Sequence, residues 1–475
     1  MHVRDPTWLV HRQRASGSPP ICLHILHERS LIASLSVPDL LQQAVPQSMA
    51  LPHLPTELIE HITSYLDLPT SCSLRLTSSS LSEQTSHVFK DRFFYQHTLQ
   101  WTQEAFSRLQ EMTSHSHFGN GLRHLIVDAT PRHSIHLWQT QTHISNTQGI
   151  STPYGVVSAT RGLEEKWAAD SKVADDIATF FSETRFDRKC LVSLFERLEQ
   201  LESITFAYEG MDDRYAKFAT RYCKSSQHEM SRPFVSTMSA IATSKIQVRS
   251  IKLDSVQTFG AVGIGRLENI APSLRHFDYA FEKLGTLQLH LRDLRSSHSG
   301  FELEAPRAPF VVRFLAKARN VKRLELSCYS SLDGDVFGEM ARHCRFEKLE
   351  MCKLSTMRIQ AAEDLLAFLQ PSEKTLATLS LVNIRLSDEV TTWMDLLSTI
   401  ASSEDVLPKL DNFSLGNMFT LNRFNVWLKG KRGLCCVGGD WRGQLFDAIS
   451  EIEERPPELP WGMVAVVYPF VGFSV

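Results

Sequence analysis

The nine cysteines of this 475-residue chain follow no pattern that would make them a metal site or a disulfide framework. No two of them form a CxxC pair and their spacing is irregular, so a zinc site built on paired cysteines is not indicated. Scattered thiols are typical of proteins that stay reduced. We therefore expect the protein to act in the cytoplasm, the nucleus or both.

An excess of charge of one sign and a long apolar run are also missing. The chain has 50 Lys and Arg against 53 Asp and Glu, a formal net charge of -3. This balance does not indicate nucleic acid or a membrane surface as the main partner. No apolar run reaches the roughly 18 residues of a transmembrane candidate, so no membrane partner is expected. The most apolar run, residues 461–475, is interrupted by Pro469 and Gly472 and is predicted to be a terminal strand.

Known catalytic sequence motifs are also missing. The sequence contains no GxSxG, HExxH or GxxxxGK[ST] motif. His133, His136 and His143 lie in a polar stretch, and the HxxH spacing could offer two metal ligands on one helical turn. No matching acidic or cysteine set follows, so we interpret this stretch as a solvated loop. We expect no metal, no cofactor and no catalytic residue, and interpret the chain as a non-enzyme.

What the sequence does have is a compact helical stretch at residues 54–94. Pro55 suits a first helical position. The apolar residues that follow at helical spacing make one stripe, formed by Leu58, Ile59, Ile62, Tyr65 and Leu66. Pro69 bounds that helix and can open a second one. A third is predicted to begin within residues 77–80 and to continue to Phe93. Three short helices are therefore predicted here.

About forty residues bury too little surface to be very stable alone. This stretch also has more apolar positions than three short helices can hide from water. The excess apolar surface could bind a partner protein. The alternative is an ordinary helical subdomain that packs on the rest of the chain.

The sequence of this stretch resembles an F-box, especially the F-boxes of filamentous fungi. It carries LPTEL at 54–58, LDLP at 66–69, LRL at 74–76 and SL at 80–81. The resemblance implies a three-helix F-box over residues 51–95 that docks on the Skp-type adaptor of a cullin–RING ubiquitin ligase. The residues that it implies for adaptor binding are Leu54, Pro55, Leu58, Ile62, Leu66, Leu74 and Leu76.

Residues 1–48 precede this motif and do not look like part of the fold. They contain SGSPP at 16–20 and one weak apolar segment at 21–26 that lacks a clear period. Met49 stands just before the motif. We therefore predict a disordered or non-native extension over 1–48, with Met49 as a candidate start.

After the helical stretch the pattern alternates between strand and helix. A six-residue motif similar to LxxLxL recurs, which we call a strand word. Amphipathic helices are predicted between several copies, at residues 310–318, 336–344, 361–369 and 390–400. The copies lie at 122–127, 201–206, 248–253, 274–279, 284–289, 321–326, 346–351, 376–381 and 410–415. Their steps are longer and less regular than the 20–29 residues of a leucine-rich repeat.

This alternation predicts an irregular leucine-rich-repeat-like solenoid over 96–416, because each strand–helix unit can bury its apolar face only against its neighbours. Insertions are expected at about 130–186 and 207–245, and a capping segment at 417–475. The alternative is a compact α/β domain with a parallel sheet, which shares the same alternation. The predicted fold class is therefore α/β, with an N-terminal three-helix F-box.

In each strand word, the residue between the two last apolar positions is expected to point away from the core. If the strands line one face, these residues form a mixed, slightly acidic row that is either a substrate surface or a merely solvated one. Its predicted members are Thr205, Lys252, Asp278, Gln288, Glu325, Glu350, Ser380 and Ser414.

The resemblance implies a substrate-recognition subunit of an SCF-type cullin–RING E3 ubiquitin ligase. The F-box would bind the Skp-type adaptor and, through it, the cullin and RING subunits, while the repeats bind a protein substrate. One alternative is an F-box scaffold that works outside a ligase. Another, of a different class, is an enzyme with a helical N-terminal appendage.

Overall fold

The computed structural model describes residues 51, 54–114, 121–148, 157–198, 200–208, 224–253, 262–292, 309–328, 336–403, 405–422 and 424–456. The predicted extension 1–48, Met49 and the predicted terminal strand at 461–475 lie outside these ranges. None of the helices within them is long and apolar enough to cross a membrane. The chain divides into two compact units between Phe93 and Phe94.

The N-terminal unit has four short helices in its described residues, where the sequence predicted three. They are α1 (Thr56–Thr63), α2 (Leu68–Thr77), α3 (Ser79–Gln84) and α4 (Ser86–Phe93). Asp67 begins α2 as its N-cap, because its carboxylate accepts the N–H of Thr70 at 3.0 Å. Ser78 is the N-cap of α3, and its side chain makes no capping hydrogen bond.

Two arginines explain how these helices are held and why the predicted third helix is divided. Arg75 donates to the carbonyl of Ser82 at 2.8 Å and to the Thr85 hydroxyl at 3.1 Å. It thereby takes up a carbonyl that a continuous helix would offer to residue 86. Arg92 donates to the carbonyls of Thr63 at 2.7 Å and Leu66 at 2.8 Å, which ties α4 to the end of α1.

The second unit is organised on one sheet, which has 14 strands in the described residues. The parallel part contains β1 (Gln96–Gln100), β2 (His124–Asp128), β3 (Ser203–Ala207), β4 (Ser250–Leu253), β5 (Val262–Gly263), β6 (Thr286–Arg292), β7 (Arg323–Cys328), β8 (Met351–Ile359), β9 (Thr378–Leu386) and β10 (Asn412–Gly416). Apart from β5, which pairs with the end of β6, these strands follow one another in sequence order, each parallel to the last.

One face of this sheet is buried from β2 to β10. In β7, Leu324 and Leu326 are buried, whereas Glu325 between them is half-buried. The first apolar residue of each word is buried as well, before the strand begins. These residues are Leu122, Leu201, Val248, Leu284, Val321, Leu349, Leu376 and Leu410. A doubly covered parallel sheet would instead bury both faces.

A ladder of backbone hydrogen bonds joins successive words just ahead of their strands. The carbonyl of Arg249 accepts the N–H of Gly285 at 2.9 Å and that of Thr286 at 3.1 Å. The same pair of bonds recurs from word to word at the carbonyls of Tyr95, Arg123, Glu202, Gly285, Lys322, Glu350 and Ala377. Each unit therefore meets the next in the same way, although the lengths of the units differ.

Two of the predicted strand words are wrong. Residues 274–279 are helical, because a 3-10 segment (Glu268–His276) leads directly into α11 (Phe277–Ala280). The strand word predicted at 346–351 begins three residues later in the structure. Its buried first leucine is Leu349, and the strand that follows carries Cys352 and Leu354 on the buried face.

The helices between the strands are α5 (Gln103–Ser114), α6 (Arg132–Gln148), α7 (Val157–Thr184), α8 (Phe186–Phe195), α9 (Lys224–Ser244), α10 (Ile264–Leu267), α11, α12 (Phe310–Leu315), α13 (Val336–His343), α14 (Ala362–Leu369) and α15 (Trp393–Ser402). The predicted insertions at 130–186 and 207–245 contribute α6, α7 and α9 in their described parts. The solvated loop expected at residues 133–143 is wrong. The Glu229 carboxylate accepts the N–H groups of His133 and Ser134, which caps the first turn of α6.

Beyond β10 the strand pairings are antiparallel, apart from β11 (Met418–Phe419), which pairs with β9 in parallel. The other added elements are β12 (Asn425–Leu428), β13 (Gly433–Val437), α16 (Trp441–Ile449) and β14 (Ile452–Arg455). Strand β13 pairs with β10, and β12 joins β11 to β14. Arg442 of α16 donates to the carbonyl of Ile400 at 2.5 Å, so this segment packs on the last helix of the parallel region.

Candidate functional site

Helix α1 has two faces of different character. Ile59 and Thr63 are buried within the unit, and the Thr63 hydroxyl donates to the carbonyl of Ile59 at 2.9 Å. Leu58 and Ile62, one turn apart, are exposed on the other side. The sequence placed all the apolar residues of this helix on one stripe. In the structure, Ile59 alone of these three apolar side chains points inward.

The seven residues predicted for adaptor binding all keep contact with solvent. Pro55, Leu58, Ile62 and Leu76 are exposed, whereas Leu54, Leu66 and Leu74 are half-buried. Leu81 and Phe89, by contrast, are buried inside this unit together with Ile59.

Tyr65 is a further exposed apolar residue to which the sequence assigned no docking role. Its side chain is 75% exposed, and its ring packs edge-on against His61 at 5.2 Å. Four of the twelve exposed large apolar side chains among the described residues lie between Leu58 and Leu76. Solvent-facing apolar residues at this density favour a contact surface over a core.

The polar row of the sheet exists, with six of its eight predicted members. Thr205, Lys252, Gln288, Glu325, Ser380 and Ser414 each lie on a strand, between two buried residues. The register places Gln288 beside Glu325 and Ser380 beside Ser414. The Ser414 hydroxyl donates to that of Ser380 at 2.8 Å.

Asp278 and Glu350 do not belong to the row. Asp278 lies on α11, where it pairs with Lys317 at 2.6 Å. Glu350 lies on the backbone ladder ahead of β8 and pairs with Lys322 at 2.7 Å.

Lys353 occupies the β8 position of the row instead, in register with Glu325 on one side and Ser380 on the other. Its ammonium group pairs with the Glu325 carboxylate. The row is therefore mixed in charge rather than slightly acidic. Sequence reasoning missed Lys353 because the word was started at Phe346 rather than at Leu349.

Two neighbouring strands carry a buried polar group on the row's face of the sheet. The side-chain amide of Gln288, the imidazole of His290 and the hydroxyl of Ser327 are linked, with Gln288 Nε2 3.3 Å from His290 Nε2. His290 Nδ1 bonds the Ser327 hydroxyl on the adjacent strand. These bonds connect β6 to β7 through side chains as well as through the backbone.

The three histidines singled out in the sequence all lie on α6. His136 Nδ1 is 3.2 Å from a carboxylate oxygen of Asp170 on α7. Burial raises the pKa of the Glu229 carboxyl that caps this helix, although the bonds from Ser134 oppose the rise. Within the described ranges, no group of three or more His, Cys, Asp or Glu side chains could hold a metal ion.

Comparison with known proteins identifies the N-terminal unit. No curated protein is similar enough to the chain to be matched to it. The family model of the F-box domain matches residues 51–90, which include α1 to α3 and most of the exposed apolar surface described above. The chain therefore carries an F-box domain in its N-terminal unit.

Proposed function

We propose that the protein is a substrate-recognition subunit of an SCF-type cullin–RING E3 ubiquitin ligase. An F-box domain supports binding to a Skp-type adaptor. The observation that carries the proposal is the pair Leu58 and Ile62, which α1 presents to solvent while Ile59 supplies the domain's own core. Apolar side chains kept in water by a small domain are those that a partner would bury. Leu54, Pro55, Leu66, Leu74 and Leu76 complete the proposed adaptor surface.

The second unit would bind the substrate. We interpret the protein as an F-box protein of fungal type, and its second unit as an irregular leucine-rich-repeat-like solenoid. The supporting observations are the sequence-ordered parallel strands and the recurring backbone ladder. The polar row, with Lys353 in place of Glu350 and without Asp278, is the proposed contact surface. It presents both charges and hydroxyl groups, which suits a polar protein surface.

In this role the protein would be a non-catalytic adaptor in the cytoplasm or nucleus. Its contribution would be proximity, because a bound substrate reacts at a raised effective concentration near the conjugating enzyme. No residue of the chain would act as acid, base or nucleophile. The rival proposal is an F-box scaffold that binds the adaptor without delivering a substrate to a ligase.

The test is a pull-down of the full-length chain from a eukaryotic lysate, probed for the Skp-type adaptor and cullin. The proposal expects both to be captured, and to be lost in Leu54→Ala with Pro55→Ala when circular dichroism shows an intact fold. Captured proteins are then assayed for ubiquitin transfer, with Lys252→Glu and Lys353→Glu as row variants. Capture of the adaptor without ubiquitin transfer favours the scaffold. A wild-type chain that captures no adaptor contradicts both proposals.

A further inference from the structure

A cleft of about 420 Å³ lies among the helices of the second unit, apart from the polar row of the sheet. Its walls come from the start of α8, the middle of α9 and the segment 266–272. Its volume falls within the range of roughly 300 to 1,000 Å³ that is typical of small-molecule sites.

The charge of this cleft is strongly one-sided. Among the described residues that line it are four arginines, Arg185, Arg188, Arg232 and Arg266, and a single carboxylate, Asp187. The whole chain is nearly neutral, with 50 basic and 53 acidic residues. The cleft is therefore a local concentration of positive charge rather than a sample of the general surface.

The one carboxylate is fully used inside the protein. Asp187 is 1% exposed and accepts from Arg232 Nε at 2.8 Å and from the Ser236 hydroxyl at 2.8 Å. Arg232 in turn donates to the Ser182 hydroxyl at 3.1 Å and to the carbonyl of Phe181. This buried pair neutralises itself, holds Arg232 rigid and fixes α9 against the start of α8.

The other three arginines keep donors to spare. Within the described part of the chain, the Arg188 side chain makes one bond, of 3.3 Å, to the Thr243 hydroxyl. Among the residues that the structure describes, neither Arg185 nor Arg266 has a carboxylate partner. Arg185 is also the N-cap of α8 in a left-handed conformation, with φ 50, so the positive end of that helix dipole meets the cleft wall.

We infer that this cleft binds a ligand that carries a phosphate group. A phosphate monoester carries a charge of nearly -2 and three acceptor oxygens, which suits several guanidinium groups converging on one cavity. Arginine is especially suited to this role because its planar fork donates two parallel hydrogen bonds. The same phosphate chemistry can come from a free small molecule or from a phosphorylated peptide side chain. The site does not depend on the proposed adaptor function, since it uses no residue of the F-box domain.

The inference is tested by calorimetric titration of the full-length protein with inorganic pyrophosphate and, separately, with a short phosphoserine peptide. The first variants are Arg266→Gln and Arg185→Asn, the latter because asparagine tolerates the left-handed backbone of that position. Arg319→Gln is the matched control. Arg319 is exposed and does not line the cleft. Thermal unfolding of each variant checks that the fold is retained.

We expect saturable binding of at least one probe. Each cleft variant should weaken the affinity about tenfold, which is the loss expected for one charge-assisted hydrogen bond. The control variant should leave the affinity unchanged. Preference for pyrophosphate identifies a free ligand, and preference for the peptide identifies a modified protein. Absence of saturable binding by either probe overturns the inference. So does equal weakening by Arg319→Gln, because binding would then follow general charge.

Discussion

Leu58 and Ile59 are neighbours in one helix, yet the Leu58 side chain is 51% exposed and that of Ile59 is 1% exposed. The helix therefore divides its apolar residues between the domain's own core and a solvent-facing surface. Because the two positions differ in side-chain environment but not in local backbone, they form a matched pair. Ile59 reports on the fold of the F-box domain, and Leu58 reports on the binding of its proposed partner.

Truncation at these two positions should have opposite outcomes for stability. We expect Ile59→Ala to lower the unfolding free energy of the N-terminal unit by about 2 to 5 kcal/mol, because it opens a cavity. Leu58→Ala should change it by no more than about 0.5 kcal/mol, as for an ordinary surface substitution. Hydrogen exchange of residues 54–93 in the full-length chain measures both. Similar losses of protection at the two positions would contradict the division into two faces.

The buried pair of Asp187 and Arg232 should be costly to break. We expect Arg232→Gln to destabilise the second unit by about 3 to 5 kcal/mol, because it leaves the Asp187 carboxylate buried without its partner. Adding Asp187→Asn removes that charge and should recover part of the loss.

Urea unfolding of the single and double variants measures this coupling. The matched control is Lys322→Gln, which breaks a solvent-exposed pair with Glu350 and should cost under about 1 kcal/mol. Equal costs for Arg232→Gln and Lys322→Gln would show that burial of Asp187 carries no penalty.

Asp388 caps α14 from a neighbouring segment of the chain. Its carboxylate accepts the N–H of Ala362 at 2.9 Å, while Ala361, the N-cap of that helix, offers no capping side chain. The bonds from the N–H groups of Ala362, Val390 and Thr391 hold the pKa of Asp388 below its ordinary value of 3.8. We expect Asp388→Ala to cost about 0.5 to 2 kcal/mol at neutral pH, the range for loss of an N-cap.

The same carboxylate predicts a pH dependence. Because its pKa is lower in the folded state, its stabilisation is present above pH 3.8 and is lost as the pH falls through the folded pKa. The stability difference between the wild type and Asp388→Asn should therefore shrink below pH 3.8. Urea unfolding across acid pH measures this. A difference that stays constant with pH would show that the ionised form is not preferred by the fold.

Asn383 has a left-handed backbone, with φ 54, as do the corresponding residues Thr356 and Asn417 of the neighbouring strands. Alanine tolerates this conformation poorly, so Asn383→Ala should destabilise the sheet by about 1 kcal/mol. Asn383→Gly should be close to neutral, because glycine adopts positive φ without a steric penalty. Thermal unfolding of the two variants compares them. Equal stability of the alanine and glycine variants would contradict a backbone origin.

The sequence predicted the parts of this fold that repeat. The strand words at 321–326 and 376–381 were found because their apolar residues alternate, and four of the helices between strands were found from their amphipathic spacing. The helical N-terminal stretch was recognised from its wording, and the F-box match at residues 51–90 confirms that part of the prediction.

What the sequence did not reveal depends on contacts between distant residues. The word at 274–279 has the apolar spacing of a strand, but the 3-10 segment that begins at Glu268 carries it into a helix. Helix α6 lacks a clear apolar period, and its first turn is capped by Glu229, 95 residues from Ser134. Lys353 was missed for a local reason, since two apolar residues three positions apart, Phe346 and Leu349, could each begin the word.

We propose that the outward face of α1 binds a Skp-type adaptor. The most direct measurement is the affinity of purified adaptor for the full-length protein, compared with Leu58→Ala, Ile62→Ala and the control Val173→Ala. Val173 is an exposed apolar residue of the second unit. We expect the wild type and the control to bind the adaptor equally well. Each α1 variant should lose at least about 1 kcal/mol of binding free energy. Unchanged affinity in both α1 variants, or no binding by the wild type, would contradict it.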